Sequence, residues 1–397
     1  MNSPIDIDRL LGACGDDSFD DGIRIDADLD PVGGPGAPVK PAVYEGGRYQ
    51  MDRRWASPGD ASPTQVIVID NVPSQANRLE AAIQVVRPDL EVPEFVLDLS
   101  ACGELPAHLP RSISSWQFPH RNGDAYLRDS QIDGTNFDKS DIGKAIFAAT
   151  PWDAGALIDW FPQALVYGFW QSHLGKKRAN TKHARAWVSE IIGWNPASTD
   201  VKLFGVKGDP LNLTTDETVV SNSDDRVQWG FEKSDVEGGG KDRLSEMGHG
   251  QVISDSTPAA VSFSRITQRA TLSFAQLRRV SLGGDSDADA AARALLTALS
   301  LHAHMLAFGR GFALRSGAEL RLSGSVVTWL GSGGDEILEG LDHSATAALL
   351  QAARDSAVAA GISLAGWKRD AVILTPKDNL RKAISATWPE LGAEDSV

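Results

Sequence analysis

Apolar runs and helical repeats of apolar residues follow one another in this chain. The run Val66–Ile69 predicts a buried strand at about 64–70. Ser74 comes next as a suitable N-cap, so a helix is expected from there. Its apolar residues recur at helical spacing: Leu79, Ile83 and Val86. A second strand at 94–99 completes a predicted β-α-β opening.

The rest of the chain predicts further helices and strands without internal repeats. Apolar spacing predicts helices at about 181–193, 286–308 and 344–360, with a short one from Pro376. In the first of these, Lys182 and Arg185 fall on the polar face. Alternation predicts strands at 260–274, 312–322 and 371–374. Together these elements indicate an α+β fold, in which helices back an antiparallel or mixed sheet.

Charge and glycine content divide the chain into segments. The net charge of the 397 residues is -15, and nearly half of it lies in residues 1–30, which hold nine acidic and two basic side chains. Residues 31–63 are rich in proline and glycine. We therefore predict an acidic tail and Pro/Gly-rich arm at 1–45 and one domain at 46–397, with a mobile acidic insertion at about 209–250.

Two windows without acidic residues contrast with this acidic background. Residues 171–189 hold five lysines and arginines, and residues 256–284 hold four arginines. Because salt screens charge beyond roughly 10 Å, local charge rather than net charge decides where a phosphate backbone binds. The windows predict a basic channel, although either alone is equally compatible with a solvated basic face.

Other functional classes have weaker support. No apolar run of about 18 residues occurs, and the N-terminus lacks the pattern of a secretory signal, so we expect a cytoplasmic protein without a membrane. Two cysteines far apart predict neither a disulfide framework nor a zinc site, and we expect no metal or cofactor. His120 with Asp124 or Asp129 leaves hydrolysis open, but loop salt bridges explain that cluster more simply.

One segment resembles a known family. Residues 69–80, Ile-Asp-Asn-Val-Pro-Ser-Gln-Ala-Asn-Arg-Leu-Glu, are similar to the signature of the backbone subunit of the type I-U (also called I-G) CRISPR surveillance complex. They depart from it at Asn71–Pro73. Further blocks resemble the same family in the same order: Pro119–Arg121, Asp124–Ser130, Ala164–Trp170, Lys182–Gly193, Gly248–Gly250 and Gln268–Ser273. The resemblance covers roughly Tyr44 to Arg321.

The resemblance implies an RRM-like (ferredoxin-like) palm of the RAMP superfamily, with large inserted finger and thumb elements. Such subunits stack head to tail along the spacer of a CRISPR RNA and present it for pairing with target DNA. They work beside other subunits of the effector complex, and a separate helicase-nuclease is recruited to cut the DNA, so we expect no enzyme activity. The alternatives are a RAMP-type ribonuclease and a protein-protein scaffold without nucleic acid.

An RNA holder of this kind needs cations for phosphates and amides for ribose rather than groups that read bases. The predicted RNA-binding residues are Gln75, Asn77, Arg78, Lys176, Lys177, Arg178, Lys182, Arg185, Arg265 and Arg269. For Asn77 and Arg78 the alternative is a structural cap and salt bridge, and for Lys177 and Arg178 it is a solvated loop. No catalytic residue is predicted. We expect the acidic tail or the insertion either to meet a basic surface of the next subunit or to keep free subunits from coating unrelated RNA.

Overall fold

The structure, a computed structural model, describes residues 5–387 apart from 104, 106–108, 173–180, 200, 204–207, 214–215, 224 and 251–255. Its helices are α1 Ile7–Cys14, α2 Val72–Leu90, α3 Ala125–Arg128, α4 Asp141–Ala148, α5 Gly155–Trp160, α6 Pro162–Tyr167, α7 Phe274–Leu277, α8 Ser286–Phe308, α9 His343–Ala359 and α10 Asp378–Thr387.

Most of the strands are short. They are β1 Gly22–Pro31, β2 Val43–Tyr44, β3 Arg48–Tyr49, β4 Met51–Arg54, β5 Thr64–Asp70, β6 Phe95–Asp98, β7 Ser112–Ser114, β8 Ser130–Ile132, β9 Thr135–Asn136, β10 Phe169–Gln171, β11 Thr181–His183, β12 Trp187–Trp194, β13 Val201–Leu203, β14 Thr218–Ser221, β15 Trp229–Gly230, β16 Gly240–Arg243, β17 Ser256–Pro258, β18 Arg265–Ser273, β19 Phe312–Ala313, β20 Glu319–Gly331, β21 Gly334–Leu338 and β22 Val372–Pro376.

The main sheet has eight antiparallel strands. Its order is β19-β20-β1-β18-β12-β5-β4, and β21 pairs with β20 beside this path. β1 lies near the centre, where it pairs along its length with both β18 and β20. The expectation of an acidic tail is therefore wrong for residues 7–31, which form α1 and a central strand.

Alternation explains why β1 has the composition of a tail and the position of a core strand. Every second side chain is buried beneath the helices, namely Ile23, Ile25, Ala27 and Leu29. The residues between them face the other side and carry charge: Arg24, Asp26, Asp28 and Asp30. The strand thus has one apolar face and one mainly acidic face. A count of its charges does not reveal the apolar face.

Helices cover one face of the main sheet. α2 packs against α8 and against β12, and α1 and α9 also pack on α8. α8 is long and apolar enough to cross a membrane, but most of it is buried, as in the core helix of a soluble protein. The prediction of α8 is confirmed to the residue, and α9, β22 and α10 lie close to their predicted bounds.

The second predicted strand exists but joins another sheet. β6 lies in a five-stranded sheet of order β7-β6-β22-β8-β9, in which only β6 and β22 are parallel. The predicted β-α-β opening within one sheet is therefore wrong. β5 and β6 border α2 on either side but pair with different partners.

The helix predicted at 181–193 is also wrong. Residues 181–183 form β11, which pairs with β10, and residues 187–194 form β12 in the main sheet. Trp187 and Ile191 are buried, whereas Val188, expected on the same helical face, is exposed. The side chains alternate with a period of two, and tertiary pairing outweighs the weak helical spacing.

The expected insertion lies between β12 and β18. β13 and β17 pair with each other where the chain leaves and rejoins the main sheet. Between them, residues 218–243 include a three-stranded sheet of order β15-β14-β16. The described part of 209–250 therefore contains regular structure, where the composition predicted a loop.

Candidate nucleic-acid interface

The segment that resembles the family signature is organised around Asp70, at the end of β5. This carboxylate is fully buried and accepts hydrogen bonds from Ser74 Oγ at 2.8 Å and Gln75 Nε2 at 2.6 Å. Two guanidinium groups also bind it, with Arg78 Nε at 2.9 Å and Arg315 Nη2 at 3.0 Å. One carboxylate faces two arginines, so the cluster keeps a net positive charge.

The start of α2 differs in detail from the prediction. Asn71, rather than Ser74, is the N-cap, because its Oδ1 accepts from Ser74 N at 3.1 Å. Ser74 instead uses its hydroxyl to hold Asp70. Asn71 Nδ2 also donates to Tyr44 Oη at 2.8 Å, which ties the helix start to β2.

Gln75 was predicted to contact RNA, but its side chain is fully buried within the protein. Its Nε2 binds Asp70, while its Oε1 accepts from Ser189 Oγ at 3.2 Å and from Gln268 Nε2 at 2.7 Å. Gln75 therefore joins α2 to β12 and β18 under the helix layer. That position excludes a direct contact with RNA in this conformation, and its role is to position α2.

Arg78 is held in the same network. Besides Asp70, its Nη2 donates to the carbonyl of Leu314 at 3.0 Å, and about a quarter of its side chain is exposed. Arg78 is therefore a partly exposed cation that already binds a carboxylate and a carbonyl of the protein. Asn77, the next residue to the N-terminal side, is exposed. These two positions still border the surface, in contrast to Gln75.

A second ion pair on α2 fixes the neighbouring chain. Glu80 receives both Nε and Nη2 of Arg121 at 2.7 Å, and Arg121 Nη1 donates to the carbonyl of Gly168 at 2.9 Å. Burial raises the pKa of Glu80, while Arg121 and Arg185 oppose that shift. Arg121 thus connects α2 to the first strand of the β10–β11 hairpin.

The described part of this hairpin carries two of the predicted cations. Lys182 is exposed on β11, and Arg185 is exposed just after that strand. Burial lowers the pKa of Arg185, Arg121 acts in the same direction, and Glu80 opposes both. Within the described ranges, no ion pair joins Lys182 or Arg185 to a carboxylate. We call the surface formed by Asn77, Arg121, Lys182 and Arg185 the hairpin-root surface.

Lys176, Lys177 and Arg178 lie outside the described residues, in the connection between β10 and β11. Their predicted role therefore stays a prediction. In sequence they follow β10 and precede Lys182.

The arginines of the second acid-free window lie elsewhere. Arg265 and Arg269 point from β18 away from the helix layer, because they alternate with the buried Ile266 and Gln268. We call this side of the main sheet the open face. Gln75 contacts Gln268 on the opposite side, so one groove does not hold all the predicted RNA-binding residues.

Carboxylates of neighbouring strands neutralise much of the open face. Asp26 of β1 accepts from Arg269 at 2.6 Å and from Arg24 at 2.8 Å. Arg265 lies over the Trp194 ring, 5.3 Å from its centroid. Both β18 arginines line a cavity of about 460 Å³ together with Asp26, Asp28 and Glu190. Residues 256–284 contain no acid, but β1 and β12 place carboxylates beside their arginines. The predicted basic channel does not form there.

The cluster considered for hydrolysis is used for structure. Asp124 is buried and caps α3, accepting from Tyr126 N at 2.9 Å and from His120 N at 3.0 Å. Asp129 pairs with Arg128 at 2.6 Å, and this hydrogen bond lowers the pKa of Asp129. In the part of the chain that the structure describes, no group of three or more metal-ligating side chains comes together.

Sequence reasoning missed three residues of these networks: Asp70, Arg121 and Arg315. Asp70 had a local signal, because it ends an apolar strand where a buried acid needs partners. Arg121 was expected to form a salt bridge with an aspartate of its own loop, but its partner is Glu80, 41 residues away. Arg315 had no local signal, since Asp70 is 245 residues away.

Comparison with known proteins adds one finding. Residues 23–197 match a family described as CRISPR-associated protein GSU0053. The match covers less than half of the chain and supports a CRISPR-associated protein. It includes nearly all of β1, Asp70 with its partners on α2, and the hairpin-root surface, whereas Arg265, Arg269 and Arg315 lie beyond it. No curated protein matches the chain.

Proposed function

We propose that this protein is the CRISPR RNA-binding backbone subunit of a type I-U (I-G) effector complex. Copies of it would assemble head to tail along the spacer of the RNA, beside other subunits, and present the RNA for pairing with target DNA. The observation that carries the proposal is the hairpin-root surface, where Lys182 and Arg185 are exposed and Arg121 holds the hairpin to Glu80 of α2. This surface lies within the part of the chain that matches the CRISPR-associated family.

The strand order supports the RRM-like part of the proposal. β1, α2, β12, β18, α8 and β20 follow one another in the chain, with excursions between them. Their strands lie in the order β20-β1-β18-β12, all antiparallel, and both helices cover one face. A β-α-β-β-α-β series in this order is the ferredoxin-like arrangement. The excursion between β12 and β18 is then a candidate finger or thumb.

The hairpin-root surface suits RNA of any sequence. Lys182 and Arg185 can neutralise phosphates, and Asn77 can bond to a phosphate or 2′-hydroxyl oxygen. Arg121 and Glu80 hold these groups to the body of the protein. Such contacts grip the backbone and leave base edges free, which pairing with target DNA requires.

We further propose that this subunit holds RNA without cutting it. Asp124 and Asp129 are committed to a helix cap and an ion pair. A cutting activity that depends on His120 would appear as shortened RNA after prolonged incubation and would vanish in His120→Ala. RNA that stays intact with the wild-type protein would agree with the proposal.

The central test is co-purification. The protein is expressed with and without a CRISPR array, and its 260 to 280 nm absorbance ratio and bound RNA are measured. We expect the array to yield CRISPR-length RNA bound to large assemblies. The double variant Lys182→Ala/Arg185→Ala should lose that RNA, whereas the matched double variant Arg265→Ala/Arg269→Ala should retain it. Purification without nucleic acid would favour a protein scaffold and refute the proposal.

A further inference from the structure

An exposed tryptophan lies on the β10–β11 hairpin, which also carries the exposed Lys182. Trp170 is the middle residue of β10, and its side chain is 64% exposed. Large aromatic side chains are usually buried at least in part, because each carries a large apolar area. An exposed tryptophan on a strand is available to a ligand, and whether it serves one depends on its surroundings.

The strand around Trp170 is firmly anchored. Phe169 is buried and stacks on the His183 ring, with centroids 6.0 Å apart. Gln171 is buried, and its Nε2 donates to the carbonyl of Phe147 at 3.0 Å. Both neighbours of Trp170 thus point inward, and alternation forces its indole outward.

The surroundings of Trp170 are cationic. It lies directly opposite Lys182 in the β10–β11 register, and both side chains are exposed. Side chains that are paired across strands lie within about 5.5 Å at Cβ. Arg121 bonds the carbonyl of Gly168, two residues before Trp170, and Arg185 lies two residues beyond β11. The indole and the phosphate-binding cations therefore belong to one surface.

We infer that Trp170 is a base-stacking platform for single-stranded RNA, with Lys182 binding the phosphate beside the stacked base. Stacking accepts every base, because each has a π-face, and so suits a guide of arbitrary sequence. One nucleotide per copy is then held by its face as well as by its phosphate. This inference rests on the proposed function and adds to it a named contact to a base.

The test compares two short strands of equal length, oligoadenylate and an abasic ribose-phosphate chain. Trp170→Ala should weaken oligoadenylate binding about 10-fold and leave binding of the abasic strand unchanged, because only the first offers a base to stack. Trp170→Phe should retain most of the affinity. Lys182→Ala should weaken both strands alike, since it acts on phosphate.

Trp152→Ala is the matched control, because Trp152 is similarly exposed, at 69%, but lies in the turn after α4, off the hairpin. It should change neither affinity. Equal loss of both strands in Trp170→Ala, no loss at all, or a defect only in the assembly of copies would each overturn stacking. If the wild-type protein binds neither strand, the proposed function fails as well, so the two failures are distinguishable.

Discussion

Two carboxylates of the main sheet each bind two arginines, but their environments differ. Asp70 is fully buried between Arg78 and Arg315 at the start of α2. Asp26 lies on the open face between Arg24 and Arg269, with about a third of its side chain exposed. Burial makes the first cluster a structural requirement, whereas water screens the second and makes it nearly dispensable. The same residue types therefore play different roles on the two sides.

The largest effect is expected from removing the charge of Asp70. Asp70→Asn keeps the shape of the side chain but leaves two guanidinium groups without a counter-ion, and should lower the free energy of unfolding by about 3 kcal/mol. Asp26→Asn is the matched control and should cost at most about 1 kcal/mol. Urea unfolding of both variants measures the difference. Equal losses would contradict the distinction that we draw between the two clusters.

RNA affinity compares the hairpin-root surface with the open face. Lys182→Ala/Arg185→Ala should weaken binding of single-stranded RNA about 100-fold, because two charge-assisted contacts to phosphate are lost. Arg265→Ala/Arg269→Ala should change it less than about threefold, because neighbouring carboxylates already balance much of the open face. Fluorescence anisotropy at fixed salt compares the two. A larger loss from the open-face variant would place the RNA there instead.

The pH dependence of stability tests the helix-covered side of the sheet through two buried histidines of α8. Burial lowers the pKa of His302 and of His304 to about 4, from 6.5 when unfolded. Between these values only the unfolded chain takes up protons, so the stability that these histidines contribute falls as pH decreases. From pH 7 to pH 5 each should cost about 2 kcal/mol.

His304→Phe isolates that contribution. The ring packs against Trp187 and Phe308, and its Nδ1 is buried without a hydrogen-bond partner in the described residues, so phenylalanine can replace it. The loss of unfolding free energy between pH 7 and pH 5 should then shrink by about 2 kcal/mol. An unchanged pH dependence would show that His304 is not titrating against burial.

The smallest expected effect is on the salt dependence of RNA affinity. The slope of log affinity against log salt should fall by about two in Lys182→Ala/Arg185→Ala, because about two fewer phosphates are neutralised. The open-face double variant should keep the wild-type slope. Affinity that does not depend on salt in the wild-type protein would contradict phosphate binding altogether.

Local patterns predicted the elements whose signal is local. α8 was predicted correctly because its N-terminal acids, long apolar repeat and closing glycine lie within one segment. β1 and β12 were not, because their partners are distant in sequence and their composition favours a tail and a helix. The same non-local pairing explains the site: Arg269 lies in an acid-free window, yet Asp26 comes from 243 residues away to bind it.

The candidate site was predictable only in part, because its contacts also join residues that are distant in sequence. Lys182 and Arg185 were identified correctly as exposed cations, although on a strand and loop rather than a helix. Gln75 has the chemistry of an RNA contact but is buried, because Ser189 and Gln268 lie opposite it in the folded sheet. A sequence shows which side chains can bind a phosphate, but only the fold decides which of them stay free.

The central position of β1 has a consequence for synthesis on the ribosome. Among the strands of the described residues β1 is made before its neighbours, since β18 and β20 end at Ser273 and Gly331. At about 5–20 residues per second, β1 waits roughly 12–48 s for β18 and roughly 15–60 s for β20. Unpaired strand edges invite association with other chains, so we expect nascent β1 to need protection until its neighbours are made. We therefore expect a truncation or fusion that begins at Gly22, the first residue of β1, to reduce the yield of folded protein.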